Sequence, residues 1–255
     1  MAKIDLSNIS HTYNPNDLEP TYALNPFSMT WENGKRYAIL GPSGCGKTTM
    51  LNIVSGLIKP TQGRILFDNE DVTSQKTETR NISQVFQFPV IYNTMSVYDN
   101  LAFPLKCRDF EKNKIEERVQ SVSETLNLSS FLNMPARKLT ADQKQLISLG
   151  RGLVREDVAA VLMDEPLTVI DPDLKFRLRR NLKEINEEYK TTLVYVTHDQ
   201  NEAMTFADNI IVMDQGEIVQ VGLPKDLFER PKTTFVGYFI GSVSYTHLRA
   251  HETDY

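Results

Sequence analysis

Cysteine is nearly absent from this chain. Its 255 residues hold only two, Cys45 and Cys107. Two cysteines make no disulfide framework, which fits a reducing cytosol. Positive charge is also short: 28 Lys and Arg stand against 33 Asp and Glu, a formal net charge of -5. No basic field therefore points to nucleic acid as a partner. No apolar run approaches the ~20 residues that a membrane-spanning helix needs. The opening Met1-Ala2-Lys3-Ile4-Asp5 lacks the pattern of a signal peptide. Internal repeats and low-complexity linkers are missing too. The expectation is a cytosolic chain that serves a membrane, if it does so, only through partners.

What is present is an alternating pattern. With 40% hydrophobic and 24% charged residues, the chain can build one large α/β domain or two small ones. The short apolar runs Tyr37–Leu40, Val158–Met163 and Thr192–Val196 read as buried parallel strands, with helical patterns between them. Ile115, Val119, Val122 and Leu126 fall on one face of an amphipathic helix within Glu111–Leu128. Asp171-Pro172 is a helix start, an N-cap followed by Pro at N1. The helix it opens carries Leu174, Leu178, Leu182, Ile185 and Tyr189 on one face. Asn209–Met213 and Glu217–Val221 flank Asp214-Gln215-Gly216 and read as a hairpin. Pattern alone places a helical section at about Pro89–Arg155.

Three motifs carry chemistry. Gly41-Pro42-Ser43-Gly44-Cys45-Gly46-Lys47-Thr48 matches G-x-x-x-x-G-K-[ST] in full, between a strand (Arg36–Leu40) and a helical pattern (Met50, Leu51, Val54, Leu57). That context marks a P-loop. Its glycines let backbone amides converge on an anion, and the helix N-terminus adds partial positive charge. Lys47 is expected to reach the β- and γ-phosphates of a bound ATP, and the Thr48 hydroxyl to ligate Mg²⁺. Cys45 reads as loop filler, although a thiol at a helix N-terminus is placed to be somewhat acidic. Val161-Leu162-Met163-Asp164-Glu165 is an apolar strand ending in two carboxylates. Such endings are common, so the assignment rests on the P-loop upstream: Asp164 holds Mg²⁺ and Glu165 polarises the attacking water. Thr197-His198-Asp199 follows another buried strand. A histidine there is more often a strand-end hydrogen-bonder. In a P-loop sheet, however, the C-terminal strand ends converge on the nucleotide, which brings His198 toward the γ-phosphate.

With these residues in place, roughly Ile4–Ser242 resembles the ABC ATPases, specifically the nucleotide-binding subunits of carbohydrate and glycerol-phosphate importers. The resemblance implies a P-loop NTPase core with a parallel sheet, an N-terminal antiparallel β section and an inserted helical subdomain, in a domain over 1–242. Val85-Phe86-Gln87 resembles the Q-loop, with Gln87 contacting Mg²⁺ and the attacking water. Val90–Leu105 resembles the segment that receives a permease's coupling helix. Thr168–Asp171 resembles the D-loop, carrying Asp171, and Tyr13 corresponds to the aromatic that stacks on adenine. The Asn14–Thr21 stretch after Tyr13 is longer than the family usually has. Ser43, Gly44, Cys45, Gly46 and Thr49 complete the expected nucleotide contacts. The family signature L-S-G-G-Q stands here as Leu139-Thr140-Ala141-Asp142-Gln143, its register secured by Gln143 and by Gly150–Leu153. Thr140 keeps the serine hydroxyl, while Ala141 and Asp142 replace bare backbone. Asp142 brings a carboxylate to the helix start, where it is a candidate N-cap.

The resemblance implies ATP and Mg²⁺ as cofactors, permease subunits as membrane partners, and an extracytoplasmic solute-binding protein indirectly. It also implies a peripheral place on the cytoplasmic face of a bacterial inner membrane, and no nucleic-acid role. The altered signature implies a second ATPase subunit in a heterodimer, with a working homodimer as the alternative. Set against an importer are a soluble ABC-type ATPase and a subunit that binds ATP without turnover. The intact Glu165 and His198 argue against the latter. The final Val243–Tyr255 departs from the style of the rest and resembles the translation of a sequencing-library adapter. A short natural tail is the alternative. On the adapter reading, a C-terminal β-rich regulatory domain of the subfamily is cut off.

Overall fold

The computed structural model describes residues 2–241. The expectations for Val243–Tyr255, and the domain limits Met1 and Ser242, lie outside the described residues. In chain order the strands and helices are β1 (Ile4–Thr12), β2 (Tyr22–Trp31), β3 (Arg36–Leu40), α1 (Lys47–Ser55), β4 (Gln62–Phe67), β5 (Glu70–Asp71) and β6 (Ile82–Val85). Then follow α2 (Val97–Lys106), α3 (Lys112–Thr125), α4 (Ala141–Leu153), β7 (Ala160–Asp164), α5 (Pro172–Tyr189) and β8 (Leu193–Thr197). The chain closes with α6 (Gln200–Phe206), β9 (Asn209–Asp214), β10 (Glu217–Gly222), α7 (Pro224–Glu229) and α8 (Thr234–Ile240).

Two sheets form. One has the order β2-β1-β4-β5, with every pairing antiparallel. The other runs β10-β9-β3-β8-β7-β6, parallel except for the β9–β10 hairpin at its edge. The central strands β3, β7 and β8 are apolar along most of their length because both of their faces are covered, whereas the edge strand β6 carries Ser83 and Gln84. Alternation then sorts their side chains between separate cores. Val161, Met163, Leu193 and Tyr195 pack toward α2–α5. Ala160, Leu162, Val194 and Val196 pack toward α1 and the antiparallel sheet. Ala38 and Leu40 of β3 face a third core under α6–α8.

Between β6 and β7 the chain leaves the sheets for α2, α3, two short 3₁₀ turns and α4. Helix α2 is capped by Ser96, whose hydroxyl accepts the Asp99 N–H. Helices α2 and α4 meet at Gly150, where a Cβ would stand 2.6 Å from a Leu101 methyl. Helix α5 begins as the sequence predicts: Asp171 caps it and Pro172 occupies its first turn. Leu178 and Leu182 are buried on the expected face, with Leu174 and Ile185 packed beside them. The hairpin turns through Gln215 and Gly216, both at positive φ (46° and 79°), the geometry of a two-residue primed turn. One expectation fails. Leu57 does not extend the face of α1, because Gly56 (φ 83°) ends that helix in the left-handed conformation and leaves Leu57 exposed.

The C-terminus of α1 is closed by a side chain from far along the chain. Arg80, 2% exposed, donates to the Ile53 and Val54 carbonyls at 2.8 and 3.0 Å, and to the Gln75 and Thr73 carbonyls at 3.2 and 2.9 Å. A guanidinium suits this place: it supplies several donors and sets a cation at the negative end of the helix dipole. Arg80→Met is expected to destabilise the chain by about 3 kcal/mol, the scale of stranding buried carbonyls. Denaturant titration should show a lower midpoint at unchanged slope; a loss below about 1 kcal/mol would mean that water replaces the guanidinium.

Candidate functional site

The C-terminal ends of β3, β8 and β7 form one edge of the parallel sheet. Leu40 pairs with Thr197, and Val196 with Asp164, so the residues that follow emerge side by side. There the chain passes from β3 through Gly41–Gly46 into α1. Gly46 sits at φ 101° and ψ 2° as the N-cap of α1 and offers no side-chain cap, which leaves the first amides of the helix to an external acceptor. Only glycine fits: a Cβ would lie 2.5 Å from the Ala23 carbonyl oxygen. Lys47 is buried and folds back, its ammonium 2.8 Å from both the Gly41 and Pro42 carbonyls.

The Thr48 hydroxyl donates to Asp164 Oδ2 at 2.8 Å. Burial raises the Asp164 carboxyl above the ordinary carboxylate range; the Thr48 hydrogen bond and Lys47 oppose the shift, and neighbouring Glu165 adds to it. Glu165 takes a left-handed backbone (φ 45°), uncommon for a residue with a long side chain. Its N–H is tied to the Val196 carbonyl at 3.0 Å, and its carbonyl accepts the Thr168 hydroxyl at 3.0 Å. This sharp turn sends Glu165 to meet two other candidates. Its Oε2 lies 3.2 Å from His198 Nδ1 and 3.5 Å from Gln87 Nε2.

Around these groups opens a cleft of about 560 Å³. Ser43, Gly44, Gly46, Lys47, Thr48 and Thr49 line its floor, and Gln87, Glu165 and His198 one wall. Tyr13 stands at the rim, 60% exposed, with its hydroxyl 3.1 Å from that of Thr49 and its ring edge-on to His11 at 4.7 Å. Ala23 also lines the cleft, and no pattern in the sequence marks it. Gly41 and Cys45 stand behind the loop, where a Cβ on Gly41 would collide with the Met213 carbonyl and with Cys45 Sγ. Cys45 is buried filler, as the sequence reads, and the acidity that its place at a helix start allows does not develop. Burial pushes its thiol up, and the nearby Lys47 ammonium offsets only part of that shift.

Leu139–Gln143 and Asp171 do not line this cleft. The candidate N-cap is corrected. Thr140, not Asp142, caps α4, accepting the Gln143 N–H while Gln143 Oε1 accepts the Thr140 N–H. Asp142 falls at the second helical position, and its carboxylate accepts a hydrogen bond from the Thr140 hydroxyl. That bond, ahead of all other influences, lowers the Asp142 carboxyl below its ordinary range. The Thr140 hydroxyl is thus already engaged at both its donor and its acceptor side. Gln145, one turn further on and unmarked by the sequence reading, is buried and donates to the Pro166 and Phe86 carbonyls at 2.9 and 3.2 Å. It ties α4 to the segments beside Glu165 and Gln87.

Comparison with known proteins follows the same lines. The family model described as ABC transporter matches residues 24–168. The sn-glycerol-3-phosphate import ATP-binding protein UgpC of Pectobacterium atrosepticum is 40% identical over 95% of this chain and 66% of its own length. The trehalose/maltose import ATP-binding protein MalK of Thermococcus litoralis is 41% identical over 91% of this chain and 64% of its own length. The chain thus spans just under two thirds of these relatives. Among solved structures, a dimeric ATP-binding cassette in a post-hydrolysis state bound to ADP and Pi superimposes with a TM-score of 0.77 at 29% identity, over 87% of this chain and 98% of that one. The cbiO1 subunit from Clostridium perfringens, part of the ABC transporter complex cbiONQ, gives 0.79 at 27% identity over 97% and 98%.

The raised Asp164 carboxyl has a signed consequence. A group whose folded pKa is raised contributes most to stability while protonated, and that contribution is lost as pH rises through the raised value. Asp164→Asn is therefore expected to raise the melting temperature of the ligand-free chain at pH 7, with the gain shrinking as pH falls into the carboxylate range. A pH series of thermal unfolding curves checks this; a gain that grows on acidification contradicts it.

Proposed function

The chain belongs to the ABC transporter family, and we propose that within it this is the ATP-binding and ATP-hydrolysing subunit of an importer of a sugar, polyol or glycerol-type solute. The observation that carries the reading is the convergence of Lys47, Thr48, Glu165 and His198 on one cleft at the ends of parallel strands, with Asp164 held behind its lining by the Thr48 hydroxyl. The amides of Ser43–Thr49 and the Lys47 ammonium would take the phosphates, Lys47 leaving the Gly41 and Pro42 carbonyls for the β- and γ-oxygens. Tyr13 at the rim would stack on adenine.

The donor set fits Mg²⁺. The Thr48 hydroxyl, the Asp164 carboxylate and the Gln87 carboxamide are hard oxygen donors, and no larger cage of His, Cys, Asp or Glu forms among the described residues. An ion that takes one or two protein ligands and completes its shell with phosphate and water needs no more. A cation there would also relieve the desolvated Asp164 charge. When bound, it supplies neutralisation of phosphate charge. Glu165, held by its left-handed turn, would accept a proton from an attacking water, and His198 would hold the γ-phosphate beside it; the 3.2 Å between the two side chains supports the pairing.

Partner roles rest on surfaces. Among the described residues no helix is long and apolar enough to cross a membrane. Phe88, Val90 and Tyr92 are exposed directly after Gln87, an apolar seat for a permease next to a residue of the cleft. The chain would then work peripherally, on the cytoplasmic face of the membrane. In a head-to-tail pair of cassettes, each ATP meets the signature of the other chain. Here that signature presents Asp142 with its proton-donating neighbour Thr140 already engaged. A carboxylate set against γ-phosphate in a partly dry cleft costs several kcal/mol. A second ATPase subunit with an intact signature would leave this chain's own cleft competent.

Three variants test the reading in the assembled transporter. Lys47→Ala should abolish tight ATP binding or turnover. Glu165→Gln should bind ATP yet slow hydrolysis by about 10²–10⁴, the worth of a positioned base; parent-rate hydrolysis would assign the base elsewhere. Asp142→Gly should raise coupled hydrolysis in a homodimer of this chain, and full activity of the parent homodimer would remove the need for a second subunit.

A further inference from the structure

Helix α6 buries a carboxylate that the cleft does not touch. Glu202 is 5% exposed and lies on the face of α6 that carries Ala203 and Phe206 into the core. Its Oε2 accepts the Tyr195 hydroxyl and the Thr197 hydroxyl, each at 2.8 Å. Its Oε1 lies 3.4 Å from the Lys175 ammonium and 3.5 Å from the Arg179 guanidinium, one turn apart on α5. Arg179 Nε is itself buried without a hydrogen-bond partner among the described residues, so this cation depends heavily on the carboxylate. A buried charge with this many partners is costly to break and rigid while intact.

The placement matters more than the strength. Thr197 immediately precedes His198, and its hydroxyl also accepts the Asp199 N–H at 3.0 Å. Asp199 in turn caps α6, accepting the N–H groups of Asn201 and Glu202 at 2.8 and 3.3 Å. The backbone is therefore pinned on both sides of His198, and the pin ends on Glu202. His198 itself is 61% exposed at its side chain and meets Glu165 at 3.2 Å, so its direction is set largely from the backbone it stands on. The other end of the network is α5, whose first turn begins at Asp171.

We propose that Glu202 is a positioning residue for hydrolysis, fixing the His198 turn through Thr197 and locking that turn to the Asp171-bearing helix through Lys175 and Arg179, so that His198 and the start of α5 move as one body. The inference rests on the functional reading above. It deepens that reading by giving the histidine an anchor outside the cleft and a rigid link to a segment facing away from it.

The test is a double-mutant cycle in the full chain within its assembled transporter, with Glu202→Gln and the milder Thr197→Val each made alone and on a His198→Ala background. Each single variant is expected to lower kcat on the order of 10-fold to 100-fold, as a misplaced group does, with KM for ATP within about twofold. On the His198→Ala background neither should lower kcat further, because the residue through which they act is gone. Losses that multiply with that of His198→Ala, a parent-like kcat, or a KM that rises while kcat holds would each overturn the proposal. A second readout needs no turnover: the His198 imidazole signal in proton–carbon correlation spectra should shift in Thr197→Val and in Glu202→Gln, while that of His11 stays in place. Should the parent prove unable to hydrolyse ATP, the functional reading fails on its own account. The His198 signal then decides the inference, and an unmoved signal rejects it.

Discussion

A threonine hydroxyl reaches a carboxylate 2.8 Å away across two strand spacings of a parallel sheet, and the cleft depends on that contact. Thr48 starts a helix after β3 and Asp164 ends β7, with β8 between them. Their meeting requires the three strands to stop at one level, as the Leu40–Thr197 and Val196–Asp164 pairs do. A slip of one residue in either ladder would turn every side chain of a strand to the opposite face, exchanging two apolar cores and withdrawing Asp164 from the edge. The apolar identity of these strands is thus a positional device as well as a source of burial.

Helix α1 shows how a helix can be left open at its start and tightly finished at its other end. Most helices satisfy their first amides with a side-chain cap; this one begins on a glycine that has none to offer. Its far end is treated in the opposite way, with a fully buried guanidinium on its last carbonyls. Helix α4 is the contrasting case. It begins with a complete capping box and a carboxylate beside it, so the Gln143 and Thr140 amides and the Thr140 hydroxyl are satisfied within the chain. Two helix starts, one left open and one closed, differ by the residues of a single turn.

Much of this was legible from residue order. The P-loop follows from spacing, the strand ends from apolar runs, and the start of α5 from Asp171-Pro172, because each depends on neighbours within one turn or one strand. The left-handed backbone of Glu165 was not legible, since nothing local marks a glutamate for that region; the sheet and the Thr168 contact impose it. The thiol state of Cys45 was hidden for a related reason. Proximity to a helix N-terminus is visible in sequence, whereas the desolvation that outweighs it comes from the core that Cys45 packs into. Arg80 and Gln145 do their work on carbonyls, which every residue has, so no complementary side chain announces them.

The β9–β10 turn has one further consequence. Its tip is clasped on both sides: the Gly216 N–H reaches the Cys45 carbonyl at 3.2 Å, and the Gly216 carbonyl accepts the Asn25 N–H at 2.8 Å. A two-residue surface turn ordinarily invites insertion, since extra length there disturbs little. Here a grafted peptide or reporter domain would pry apart the loop and the strand that the turn holds together. For anyone wishing to label or split this chain, this short and regular turn is therefore the wrong place to cut.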